Sequence, residues 1–341
     1  MPKKKRGVSL VGLIFVFIAF IVMAISIQNL NTTDISLVMN LTDENSISET
    51  ELNNKEVSAT TKNIVDHYYY DQIGEGAQIM YNTIMENIGT LKAGSGTIDF
   101  PNNEVLVDKD FQTAWDAFKL DHPEIFYVDT SQLSLVTQKT SYLFINKTFY
   151  KYSLSEKEGG YYIKSFKTSE DIDSAEIAID SVTKSILAGA NGSRYNKIKY
   201  AHDWIVDHCE YNKSDEDTND SIYGVLVKKK AVCEGYANAF KYLMDKMNIP
   251  CVIVYGTATN SSGETEAHAW NYVQLENEKW YLVDTTWDDP IIYGGGSLND
   301  ESKYKYFLVG ADAVSENHVE DNDVSGTGQH FTYPELSKAD Y

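Results

Sequence analysis

Three residues in the second half of this chain, Cys233, His268 and Asp284, are of the types that together perform nucleophilic acyl chemistry. The run Ala231-Val232-Cys233-Glu234-Gly235-Tyr236-Ala237 opens a segment in which Ala237, Phe240, Met244 and Met247 recur at helical spacing, and Asn248-Ile249-Pro250 stops it. Cys233 is therefore expected at a helix N-terminus, where unpaired backbone N–H groups and the helix dipole favour a thiolate. A lone cysteine is more often a small buried hydrophobe, so the residues that follow decide its reading. Residues 251–255 have the composition of a buried strand and 257–267 that of a polar loop. Residues 268–273 and 280–284 then alternate like two strands of a hairpin around Glu276-Asn277-Glu278. His268 and Asp284 lie an even number of residues apart, and an odd-length turn then puts both side chains on one face of neighbouring strands. A carboxylate beside an imidazole holds its tautomer and stabilises the imidazolium, which in turn stabilises a nearby thiolate.

Cys233-Glu234-Gly235-Tyr236-Ala237, then His268-Ala269-Trp270-Asn271, then Val283-Asp284-Thr285-Thr286-Trp287-Asp288-Asp289 resemble the three signature blocks of the transglutaminase-like superfamily, especially its bacterial members. The match covers roughly residues 195–308, and His202-Asp203-Trp204-Ile205 and Tyr304-Lys305-Tyr306-Phe307-Leu308 look like further landmarks. Three blocks in the right order are far more specific than a lone triad. The resemblance implies a papain-like α+β fold without a cofactor, in which Cys233 matches the nucleophile, His268 the base and Asp284 the orienting carboxylate. The backbone N–H of Cys233 is the natural first oxyanion donor, and Tyr223 is a candidate for the second. Trp270 and Trp287 are candidates to flank the acyl site, a placement that core packing beside the triad explains equally well.

Other chemistry-bearing residues have plainer readings. His202 shares an apolar helical stripe with Tyr195, Ile198, Ile205 and Cys209, as a buried, hydrogen-bonded structural histidine would. Cys209 and Cys251 read as small buried hydrophobes, with a disulfide between them as the alternative in an exported protein. Asp288-Asp289-Pro290 lacks the regularly spaced oxygen ligands of a calcium loop and reads as a turn, so no metal site is assigned. Gly294-Gly295-Gly296 lacks the context of a phosphate loop and is expected as a mobile lip near the active site.

The elements before this segment are supports. Ala77, Met80, Tyr81, Ile84 and Ile88 recur at helical spacing, as do Phe111, Ala114, Trp115 and Phe118. Residues 133–166 read as antiparallel strands with Gly159-Gly160 as a turn. Thr168 and Asp171 form a capping box that opens a helix through Leu187, and a composition break places the domain boundary at 189–193.

With 341 residues, 43% of them hydrophobic, the chain has room for a sizeable core. Its formal charge is −21, and Lys3, Lys4, Lys5 and Arg6 cluster at the N-terminus, so the body is more acidic still. An acidic body repels phosphate backbones, which excludes nucleic acid as the expected partner. The basic cluster precedes an uncharged run over residues 7–29 whose length suits a bilayer core better than a cleavable signal. The expected layout is an anchor or signal over 1–30, a polar tether over 31–62, a smaller α+β support domain over 63–190 and a transglutaminase-like domain over 191–341. The body is expected outside the cytoplasm, on the cell membrane through a single pass or, alternatively, secreted. Sequons such as Asn31, Asn40 and Asn146 are too common to decide glycosylation. The expected activity is thiol-dependent acyl transfer on amide substrates, with cysteine peptidase or amidase, or a non-catalytic surface-binding module, as alternatives. A protein or peptide substrate of the cell wall or surface is the expected partner.

Overall fold

The computed structural model describes residues 67–103, 105–142, 147–157, 160–214, 216–289, 300–322 and 330–341. The expected anchor, the tether, the three sequons named above and Gly294-Gly295-Gly296 lie outside the described residues. Among the described residues, no helix is long and apolar enough to cross a membrane.

The fold is a mixture of helices and antiparallel sheets. Helices α1 (Glu75–Glu86) and α2 (Asp108–Asp121) bury the predicted stripes, Ala77, Met80, Tyr81 and Ile84 on one and Phe111, Ala114, Trp115 and Phe118 on the other. They accompany a small sheet in which β3 (Lys147–Glu156) lies between β1 (Thr97–Asp99) and β2 (Leu133–Tyr142). The β2–β3 ladder runs out to Tyr142↔Lys147, so Gly160 lies outside that hairpin, and Gly159 lies outside the described residues. Gly160 follows β3 instead, at φ +85, where an added Cβ would meet the Gly94 carbonyl at 2.6 Å. A side-chain-free residue with left-handed φ is what that close backbone approach requires.

The Thr168 hydroxyl accepts from Asp171 N at the start of α3 (Ser169–Gly189), and Ser193 caps α4 (Arg194–His208) in the same way through Asn196 N. After the short parallel pair β4 (Glu210–Tyr211) and β5 (Lys230–Ala231) comes α5 (Cys233–Lys246), which packs on the larger sheet. That sheet has five antiparallel strands in the order β10 (His318–Glu320), β6 (Cys251–Thr259), β7 (Thr265–Gln274), β8 (Trp280–Val283) and β9 (Phe307–Val309). Four consecutive buried residues at the start of β6, Cys251 to Val254, suit a strand covered on both faces. The polar stretch 257–267, expected as a loop, is mostly strand. The ladder continues through Thr257↔Ala267 to Thr259↔Thr265, and only 260–264 turns. Residues 265–267 are exposed, so polar side chains there carry no burial cost, and the Asn260 side chain closes the turn by accepting from Ser262 N and Glu264 N.

One continuous apolar cluster runs from Tyr69 to Phe331 and joins the helices of the first half to the five-stranded sheet. Phe240 of α5 is fully buried in it, and its truncation to Ala would cost about 3–5 kcal/mol. Cys209 and Cys251 are both buried and both free, so they form no disulfide.

Candidate active site

Cys233 is the first residue of α5, with Val232 as the N-cap. The N–H groups of a first helical turn have no intrahelical carbonyl to meet, so they face outward as donors. Gly235 explains why the turn can sit where it does. A Cβ there would lie 2.3 Å from the Asn219 carbonyl oxygen and 2.9 Å from the Ala231 Cβ. The same carbonyl accepts from Val232 N at 2.9 Å and so fixes the entry into the helix.

His268 lies on β7, in the middle of the larger sheet, and Asp284 directly follows β8. The hairpin register pairs Gln274 with Trp280 and Asn271 with Val283, around the three-residue turn Glu276-Asn277-Glu278. Glu278 takes φ +60, and Leu275 and Lys279 pair across the turn. This odd turn sets the parity that puts His268 and Asp284 on one face. Their side chains meet there, His268 Nε2 donating to Asp284 Oδ2 at 2.7 Å, with exposures of 4% and 1%. Cys233, at the start of α5, is close enough to add to the charge on His268. Asn271 ties β7 to the helix that Cys233 opens: its amide donates to the Ala237 carbonyl of α5 at 3.1 Å.

The charges follow from this arrangement. Burial alone would push the His268 imidazole down, but the Asp284 charge and hydrogen bond, reinforced by Cys233, carry it up to about 10. Burial likewise opposes ionisation of Asp284, yet His268 and His318 hold its carboxyl well below the usual carboxylate range. Burial pushes the thiols of Cys209 and Cys251 up, Cys209 to about 12 and Cys251 well above the ordinary value. The Asp284 Oδ1 atom accepts from Thr286 N at 3.0 Å and Trp287 N at 3.1 Å, which fixes the carboxylate plane.

Trp270 and Trp287 do flank the imidazole, with ring centroids 6.0 and 5.2 Å from that of His268. Trp270 is buried and Trp287 half-buried. Tyr223 stacks on Phe126 at 5.9 Å and packs against Phe166, among aromatic rings of the first half of the chain. Tyr211 is brought near Cys233 through the β4–β5 pairing of Tyr211 with Ala231. Burial, then the charges of Cys233, Glu266 and Asp284, push it up to about 12, so it stays a neutral donor.

Asp288 and Asp289 belong to a turn, as their spacing suggested, and both carboxylates are engaged inside the protein. Asp288 accepts from Tyr306 N at 2.8 Å and meets the buried His202 Nε2 at 3.0 Å, while Tyr236 donates to Asp289 at 2.5 Å. His202 is fully buried and structural. A cleft of about 280 Å³ opens between α2 and α5, lined in part by Trp115, Phe126 and Glu234, and does not include the Cys233–His268–Asp284 group.

Sequence reasoning missed His318. Its Nε2 donates to Asp284 Oδ2 at 3.1 Å, the same oxygen that serves His268. The possible ligand atoms of His268, Asp284 and His318 lie within 4.8 Å of one another, close enough to hold a metal ion. In this arrangement both imidazole Nε2 atoms are committed to the carboxylate by hydrogen bonds, and all three residues are buried. The trio therefore fits a hydrogen-bonded relay better than a metal site with an open position.

A buried Asp–His pair near a thiol at a helix start, on an antiparallel sheet, is the setting of a mixed α/β fold of the transglutaminase-like kind. Residues 180–285 match the family model described as the transglutaminase-like superfamily, and this segment contains all three of Cys233, His268 and Asp284. The resemblance to the transglutaminase-like superfamily is therefore carried by residues 180–285, about a third of the chain. A stretch of 139 residues is 32% identical to kyphoscoliosis peptidase of Mus musculus, covering 35% of this chain and 20% of that protein. For kyphoscoliosis peptidase of Homo sapiens the figures are 29% over 168 residues, 43% and 24%. The chain thus spans a fifth to a quarter of the length of these curated relatives. Among solved structures, the crystal structure of a TGase aligns with a TM-score of 0.31 at 16% identity, covering 65% of this chain and 62% of that one. The periplasmic domain of TgpA from Pseudomonas aeruginosa aligns with a TM-score of 0.26 at 14% identity, covering 42% and 55%.

Proposed function

We propose that this site carries out thiol-dependent acyl transfer on amides. The observation that carries the reading is the buried His268–Asp284 pair, 2.7 Å apart, with Cys233 at the adjacent helix start. The Cys233 sulfur, as thiolate, bonds to the amide carbon, and the oxygen takes up negative charge against the first-turn N–H of α5. The C–N bond then breaks, and the leaving nitrogen takes the proton held by His268. This leaves a thioester and a neutral imidazole, which accepts a proton from the incoming amine or water as it attacks. The C–S bond breaks, and the thiolate–imidazolium pair is restored.

An amine acceptor gives a crosslink and water gives hydrolysis. Hydrolysis is the second reading, favoured by the peptidase name of the curated relatives. The substrate is a protein or peptide, and the N-terminal basic-then-apolar pattern supports a membrane-anchored, extracytoplasmic setting with wall or surface peptides at hand. The test is to incubate the purified full-length chain with a glutamine-containing peptide library and a labelled primary amine. Label should enter peptide with wild-type protein and not with Cys233→Ala. Peptide cleavage without amine incorporation would replace transfer by hydrolysis. Neither product, with Cys233 no more reactive toward iodoacetamide at pH 6 than Cys209 or Cys251, would refute the reading.

A further inference from the structure

His318 comes from β10, beyond the 180–285 segment that matches the family model, and reaches the site only because β10 pairs antiparallel with β6. The pairing sets His318 opposite Ala258 at the edge of the five-stranded sheet. Its imidazole is held on every side. Trp270 lies edge-on at 5.0 Å, Trp287 at 4.8 Å and Tyr306 at 5.2 Å between ring centroids, and Nδ1 meets the Asn317 side chain at 2.8 Å. The side chain is 1% exposed, so the Nε2 contact to Asp284 is made away from water. An ionised carboxylate only accepts, so Nε2 carries the proton in this bond.

Several ionisable groups face Asp284. His268 comes from β7, His318 from β10, Asp288 from the turn that follows it and Tyr211 from β4, while Cys233 of α5 acts through His268. Among the described residues, the side chains seen to hydrogen-bond to the carboxylate are the two histidines. They play different parts. His268 also interacts with the Cys233 side chain, whereas the second ring nitrogen of His318 is taken by Asn317, so His318 acts only through Asp284.

We propose that His318 is a positioning residue: by donating to the oxygen that His268 also uses, it keeps Asp284 in the rotamer that aims His268 at Cys233. This rests on the reading of Cys233 as the nucleophile. Without that bond the carboxylate, still ionised across the assay range, is free to turn and aims His268 less well at Cys233. The imidazolium then stabilises the thiolate less, so the thiol ionises only at higher pH.

The test is the rate of Cys233 alkylation by iodoacetamide between pH 4 and pH 9, for purified full-length wild-type protein, His318→Phe and His318→Gln. Phe keeps an aromatic ring but has no donor, and Gln keeps an N–H near the Nε2 position. The acid limb of His318→Phe should move up by about one pH unit, giving about tenfold slower alkylation at pH 5 and near wild-type rates at pH 8. His318→Gln should restore the limb. A ring with a merely packing role would leave the limb where it is, and coincident limbs for wild type and His318→Phe overturn the proposal. Should the variants fail to fold, nitrogen NMR of the wild-type protein labelled in its histidines decides. A proton on Nε2 of His318 throughout pH 5–8 supports the proposal, and a bare Nε2 overturns it. Absence of selective Cys233 alkylation in wild type would instead remove the proposed function, so the two failures are distinct.

Discussion

Asp284→Asn is the sharpest perturbation of the site because it keeps the shape and removes the charge. The Oδ1 position accepts from two backbone N–H groups, of Thr286 and Trp287, so the Asn oxygen will take that side and its NH₂ will face the two imidazoles. His268 Nε2 must then accept, which moves its proton to the ring edge facing Cys233 and leaves no base for the thiol. The electrostatic loss adds to this. The rise of His268 from an ordinary 6.5 to about 10 corresponds to roughly 5 kcal/mol in favour of the charged ring. Asp284 is the leading favourable contributor, and assigning it half of that gives about sixtyfold fewer imidazolium-paired thiolates. With the wrong tautomer, the expected fall in Cys233 alkylation at pH 6 is on the order of a hundredfold. The fold should lose only about 1–3 kcal/mol in urea titration, since one buried hydrogen-bond network is mispaired while packing is kept. Alkylation within threefold of wild type, in a folded Asn variant, would refute the view that Asp284 holds His268 in its charged, outward-donating form.

Gly235→Ala should lower stability by about 1–3 kcal/mol and slow Cys233 alkylation as well, because a Cβ 2.3 Å from the Asn219 carbonyl must displace the start of α5. A wild-type urea midpoint with unchanged alkylation would rule out that close approach. The His268–Asp284 pair also imposes a pH dependence. The raised His268 value contributes stability that is complete below 6.5 and is lost as pH climbs toward about 10, while the depressed Asp284 value contributes above 3.8 and is lost in acid. The gap in unfolding midpoint between wild type and His268→Gln should therefore be widest near pH 5–6 and narrow by pH 10. A gap constant across that range would contradict the charged-pair assignment.

Local sequence determined much of this protein. Thr168 and Ser193 cap helices whose stripes bury as their spacing requires, and Cys233 begins a helix because Ala237, Phe240 and Met244 need one face and Pro250 forbids its continuation. The parity of a three-residue turn was enough to set His268 and Asp284 on a common face, since side chains alternate along a strand with period two. Strand ends were not legible in the same way. Residues 257–267 look like a loop by polarity, yet hydrogen bonds carry the ladder out past the buried region into solvent. The small sheet hid its turn for a related reason: glycines mark a tight backbone approach as readily as a hairpin, and Gly160 serves the former. His318 was beyond any local reading. Nothing in His318-Val319-Glu320 signals a partner, and the bond to Asp284 exists only because an edge strand distant in the chain pairs with β6. Periodicity and caps act over a few residues and are written in the sequence itself. Which strand lies beside which is fixed by the burial of a common core, and that sum over the whole chain alone brought a second imidazole to the carboxylate.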